Sequence, residues 1–97
     1  MLTSINHIGI AVKDLEASKA RYSSLFGVEK FHEETVETQK VQIASFSLNG
    51  ILIELTAAIS DDSPIANFIN KRGEGIHHIA LTSDSISDDL SKAKEGL

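Results

Sequence analysis

Two stretches of this chain copy one another, and each copy carries a histidine. Ile5-Asn6-His7-Ile8-Gly9-Ile10-Ala11-Val12 lies near the start. Ile76-His77-His78-Ile79-Ala80-Leu81 repeats it without a gap at an offset of 71 residues. Ile5 matches Ile76, His7 matches His78, and Ile8 matches Ile79. Gly9 and Ala80 are both small; Ile10 and Leu81 are both large and apolar. Asp14-Leu15 falls opposite Ser85-Ile86, where each copy begins a helix. A repeat that keeps a histidine together with its hydrophobic pattern predicts two similar modules, each giving one imidazole to a shared site.

Length bounds what those modules can build. The 97 residues allow one small domain. At 41% hydrophobic residues the chain can bury a core. A chain this short is marginal alone, so a homo-oligomer is expected. The net charge of −5 argues against a nucleic-acid partner and against a basic membrane-surface site. No cysteine is present, which removes disulfides and thiolate ligands. No signal peptide and no membrane-length apolar run is read, so a cytoplasmic protein is expected.

The remaining pattern fills in an order of elements. Residues 5–12 alternate as a strand, with Ile8, Ile10 and Val12 on one face and His7, Gly9 and Ala11 on the other. Asp14 is a good N-cap and Gly27 a good helix stop, with Leu15, Tyr22, Leu25 and Phe26 at helical spacing between them. A second strand is expected near 28–35, a third over 40–48 and a fourth over 51–56. Asn49-Gly50 marks the hairpin between the last two. Ser63-Pro64 starts a helix that Lys71-Arg72-Gly73 ends. A strand over 76–82 and a helix over about 85–96 follow. The first module thus reads β-α-β-β-β over 5–56, and the second begins at 76 and supplies one strand and one helix. By the repeat, about three more strands are expected beyond residue 97, from a longer chain or from a partner chain.

Three residues stand out chemically. His7 and His78 occupy equivalent places on equivalent strands. Glu54 lies within the apolar run Ile51-Leu52-Ile53-Glu54-Leu55-Thr56. A buried unpaired carboxylate is costly, so Glu54 either points to water from an edge strand or is held by a cation. Two imidazoles and a carboxylate form a common three-ligand set for a divalent metal. A lone strand histidine is more often a packed core residue; two in register across a repeat favour the metal. Strict alternation puts His77 on the opposite face from His78, packed near the helices. The acidic residues Glu33, Glu34 and Glu37 read as a solvated strand end and loop, with a carboxylate metal site as the sharper alternative.

His7 through Val12 with Asp14-Leu15-Glu16-Ala17 resembles the opening of the vicinal oxygen chelate (glyoxalase/bleomycin-resistance) superfamily. Ser63-Pro64-Ile65-Ala66, Phe68-Ile69 and the run Lys71 to Ala80 resemble its methylmalonyl-CoA epimerase family in particular. The resemblance implies an α+β fold of paired βαβββ modules cupping a divalent ion: cobalt, nickel, manganese, magnesium or zinc. It places metal ligands at His7, Glu54 and His78, with a fourth, a glutamate, from a strand beyond this sequence. It places Gln42 where a proton-transfer base would stand; a glutamine cannot act as one, so no acid/base pair is assigned. The implied reaction is epimerisation of (2R)- and (2S)-methylmalonyl-CoA through a metal-stabilised enolate, with an acyl-CoA as the small-molecule partner. The alternatives are a glyoxalase I-like lactoylglutathione lyase and a non-catalytic small-molecule-binding module of the same fold.

Overall fold

A computed structural model describes residues 2–83. Its elements run β1 (Leu2–Ala11), α1 (Leu15–Phe26), β2 (His32–Val36), β3 (Val41–Leu48), β4 (Ile51–Ala58), α2 (Pro64–Arg72) and β5 (Gly75–Ser83). The helix expected over 85–96 lies outside the described residues. Among the described residues no helix is long and apolar enough to cross a membrane.

Local chemistry sets the boundaries. The Asp14 side chain accepts from the Ala17 amide at 3.1 Å and opens α1. Gly27 closes it in the left-handed region at φ 69°, its amide donating to the Ser23 carbonyl at 2.9 Å. The chain does not enter a strand directly after Gly27, as expected, but four residues later. Ser23 Oγ donates to the Val28 carbonyl at 2.5 Å. Val28 and Phe31 pack on the core as part of the helix exit. Residues 28–31 are therefore occupied in packing, and pairing begins at His32. Asn49 (φ 50°) and Gly50 (φ 86°) form the β3–β4 hairpin, both with the positive φ such a tight turn requires.

The five strands form one sheet in the order β2-β3-β4-β1-β5. β1 runs parallel to β4 and antiparallel to β5, while β2-β3-β4 is an antiparallel meander. β4 is therefore an interior strand. The edge-strand reading of Glu54 does not hold, because β1 and β3 flank it on both sides.

Each face of the sheet carries one helix. Ile8, Ile10, Ile53, Leu55, Ala44 and Phe46 face α1, where Leu15 and Tyr22 pack on them. Leu55 is fully buried there, a contribution of roughly 1.5–3 kcal/mol for a side chain of that size. On the other face Ala11 and Val41 pack against Ile65, Phe68 and Ile69 of α2. Ser63 fastens α2 to that face: its buried hydroxyl donates to the Gln39 carbonyl and accepts from the Ile65 amide, both at 3.2 Å. The α2 face also holds a cavity, bordered by Val41, Ile43 and Ile65.

The sequence repeat becomes a symmetry of the β1–β5 pair. Ile8 pairs with Ile79, His7 with Ala80, and Gly9 with His78. Ile5 pairs with Leu81, and Ile10 with Ile76. Exchanging each residue for its repeat equivalent reproduces the same pairs. A local two-fold axis thus passes between Ile8 and Ile79, and it brings His7 and His78 together. β5 is the outermost strand among the described residues, and its Ile76, Ile79 and Leu81 are exposed.

Candidate metal centre

His7, Glu54 and His78 converge on the α2 face, as the alternation and the repeat require. Gly9 on β1 pairs with Glu54 on one side and His78 on the other, so all three positions share that face. His7 Nε2 is 3.1 Å from His78 Nε2 and 3.5 Å from Glu54 Oε1. One donor atom from each of the three residues lies within 4.8 Å of the others. Two nitrogens bound at right angles to one ion, each at about 2.1 Å, stand about 3.0 Å apart. The donor set therefore fits a divalent ion in both chemistry and spacing.

The His78 ring lies directly over Gly9. A Cβ on Gly9 would come within 2.6 Å of His78 Nδ1 and 2.8 Å of its Nε2. Gly9 therefore serves close packing rather than an open floor beside His7. The repeat equivalent, Ala80, carries a methyl opposite His7, so the two copies differ here. Partial burial, then the charges of His7 and His77, hold His78 below the usual histidine range, with Glu54 pulling the other way. That direction favours the neutral ring, the form a metal needs.

His77 departs from its expected face. The register shifts between Gly9 and Ile10, and the pairs Gly9–His78 and Ile10–Ile76 leave His77 as an extra residue on β5. Such a bulge breaks the alternation of side chains. His77 consequently lines the same cavity as His78 and Glu54, and its ring meets Phe68 of α2 edge-on at 4.9 Å. It does pack on a helix, but on the site face.

The cavity holds about 170 Å³. Val41, Ile43, Ile65 and Thr56 form its walls, with Glu54 and the two adjacent histidines at one end. Ile43 lines it, so its neighbour Gln42 points to the α1 side, exposed and away from His7. Glu54 is the one carboxylate lining the cavity among the described residues. The acidic cluster is solvated, as expected: Glu33, Glu34 and Glu37 are exposed, and Glu33 takes Lys19 Nζ at 3.0 Å. Asn6 was not singled out by its sequence context, yet its Oδ1 lies 2.9 Å from His7 Nδ1. The signal was its place in the repeat, one residue before His7 as His77 is before His78.

A family model for the glyoxalase/bleomycin resistance protein/dioxygenase superfamily matches residues 6–96. The chain belongs to this superfamily. As a member it is 37% identical over 89 residues to the uncharacterized protein YqjC of Bacillus subtilis (strain 168), across 92% of this chain and 64% of that protein. It is 34% identical over 96 residues to the ethylmalonyl-CoA/methylmalonyl-CoA epimerase of Cereibacter sphaeroides, across 98% of this chain and 72% of that enzyme. A solved variant of Streptomyces coelicolor methylmalonyl-CoA epimerase, in complex with 2-nitronate-propionyl-CoA, superposes with a TM-score of 0.82 at 33% identity. That match covers 99% of this chain and 71% of the epimerase chain. The α+β glyoxalase fold that the resemblance implies is thus the observed one. The chain spans between 54% and 64% of the length of three curated relatives it matches.

Proposed function

We propose that this chain carries the metal site of a methylmalonyl-CoA epimerase, interconverting the (2R) and (2S) forms by α-proton transfer. The observation that carries the proposal is the convergence of His7, Glu54 and His78, with Glu54 and His78 lining a half-open, largely apolar cavity. Its support is the similarity to named epimerases over nearly the whole chain.

The three side chains would hold a divalent ion: cobalt, nickel, manganese, magnesium or zinc, since a His/Glu donor set accepts several. Such an ion supplies Lewis acidity, polarising a thioester carbonyl and lowering the pKa of the proton beside it. The protein does the rest. Val41, Ile43 and Ile65 would give the reacting carbon an apolar wall in a cavity of about 170 Å³, room for a small acyl group and not for a whole coenzyme A. The coenzyme would therefore extend outward. In the reaction the α C–H bond breaks and its electron pair spreads onto the thioester carbonyl. A proton returned to the other face inverts the centre. With Glu54, the single carboxylate lining the cavity among the described residues, engaged as a ligand, the proton-transfer groups would come from beyond them.

A cytoplasmic location and association of copies belong to the same proposal. The exposed apolar row Ile76, Ile79 and Leu81 on β5 supports the latter, since an apolar patch of this kind favours association. The lactoylglutathione lyase reading is not favoured, because the named relatives act on acyl-CoA thioesters by their names. A non-catalytic binding module has no need of three convergent ligands.

The test is α-proton exchange. Metal-loaded protein incubated with (2S)-methylmalonyl-CoA in deuterium oxide is expected to give the (2R) form with one deuterium, and a chelator is expected to stop it. No exchange and no inversion by the metal-loaded protein would sink the epimerase reading.

A further inference from the structure

The two histidine ligands are each preceded by a residue that the sheet treats in the same unusual way. Between the pairs Ile5–Leu81 and His7–Ala80, Asn6 is an extra residue on β1. Between Gly9–His78 and Ile10–Ile76, His77 is an extra residue on β5. Asn6 and His77 are repeat equivalents, so the two bulges are one device used twice. Each bulge turns the residue before the ligand toward the ligand's own ring. Asn6 Oδ1 lies 2.9 Å from His7 Nδ1, and His77 Nδ1 lies 2.9 Å from His78 Nδ1. Without a bulge, consecutive strand side chains point to opposite faces.

We propose that Asn6 and His77 are paired positioning residues, which fix the orientation and tautomer of His7 and His78 through their Nδ1 atoms. The inference rests on the metal reading above and adds two residues to it.

The two partners are not chemically alike. An amide oxygen only accepts, so His7 donates from Nδ1 and keeps a lone pair on Nε2. An imidazole nitrogen can either accept or donate. Where no ion is bound, a proton on His78 Nε2 lets that ring donate to the His7 Nε2 lone pair 3.1 Å away. His78 Nδ1 then accepts from His77 Nδ1–H. For His78 Nε2 to offer a lone pair to an ion, its proton must sit on Nδ1 and donate to His77 Nδ1, with His77 protonated on Nε2. Each ring keeps one proton throughout, so the exchange is a change of tautomer with no net gain or loss. His77 suits that exchange where an asparagine would permit only one arrangement through its oxygen. Phe68, edge-on to the His77 ring at 4.9 Å, holds the partner in place from α2.

The experiment uses zinc, which is diamagnetic, with ¹⁵N-labelled protein. Wild type is compared with Asn6→Leu and His77→Phe, which remove the polar contact. Asn6→Asp and His77→Asn restore an acceptor oxygen. Thermal midpoints of the metal-free proteins check folding. Zinc affinity is expected to fall about 10- to 100-fold in Asn6→Leu and His77→Phe, the range for partners that orient a metal-bound histidine. Asn6→Asp and His77→Asn are expected to recover most of it. The imidazole spectrum should show His78 protonated on Nε2 without zinc and on Nδ1 with it. Wild-type affinity in both apolar variants, no recovery by the acceptor variants, or zinc bound by His77 itself would each overturn the proposal. If wild type takes up no zinc, the metal reading fails separately. The positioning claim is then decided by the metal-free spectra: it stands if Asn6→Leu alters the His7 tautomer and His77→Phe alters that of His78, and falls if both are unchanged.

Discussion

His78→Ala is expected to lower divalent-metal affinity by more than 100-fold, beyond the roughly 10- to 100-fold cost of losing a partner that only orients a ligand. His78 Nε2 stands 3.1 Å from His7 Nε2, and no other described side chain replaces it in the cluster with Glu54. His7→Ala should cost about as much, because the two rings are related by the local two-fold. Titration of the metal-free variants with zinc, followed by calorimetry, checks both. His77→Ala should fall between them and wild type. A His78→Ala protein that binds zinc as wild type does would remove that residue from the site. The polypeptide itself should remain folded, since His78 is exposed and its loss opens no cavity in the core.

The second large effect comes from a methyl group. Gly9→Ala adds a Cβ that would lie 2.6 Å from His78 Nδ1, closer than real side chains approach. Something must move, and the movable element is the His78 ring, which can swing about its own side-chain bonds. The backbone at Gly9 needs no positive φ, so alanine fits the strand and slightly favours it. The expected outcome separates stability from function. The urea midpoint should stay near that of wild type, while zinc affinity and proton exchange fall about tenfold or more, as for a displaced ligand. Ala80→Gly, at the repeat-equivalent position, should leave metal binding near wild type. Equal metal binding by Gly9→Ala and wild type would mean that the ring does not need to lie where it does.

Much of this was legible in the residues. Asp14 and Gly27 bracket α1 over the expected span, and Asn49-Gly50 makes the expected hairpin. The repeat located His7 and His78 before any coordinates, because a symmetric antiparallel pair forces equivalent residues to meet. Glu54 was visible as an anomaly in an apolar run, but its fate depended on strand order. β4 becomes interior because β1 pairs along the side that the β3–β4 hairpin leaves free, a long-range choice that no local pattern encodes. Alternation failed where its premise failed. A bulge adds one residue to one strand, and at Asn6 and His77 it redirected side chains that a strict period of two assigns to the other face. Gln42 shows the converse. Alternation holds along β3, so it sits on the α1 face and not beside the ligands.

The central claim is that the local two-fold between β1 and β5 builds one metal centre from His7, His78 and Glu54. Diffraction from cobalt-soaked crystals at the cobalt absorption edge tests it most directly. The account predicts one anomalous peak within about 2.0–2.2 Å of His7 Nε2, His78 Nε2 and a Glu54 carboxylate oxygen. A peak elsewhere on the protein, or none at saturating cobalt, would contradict it.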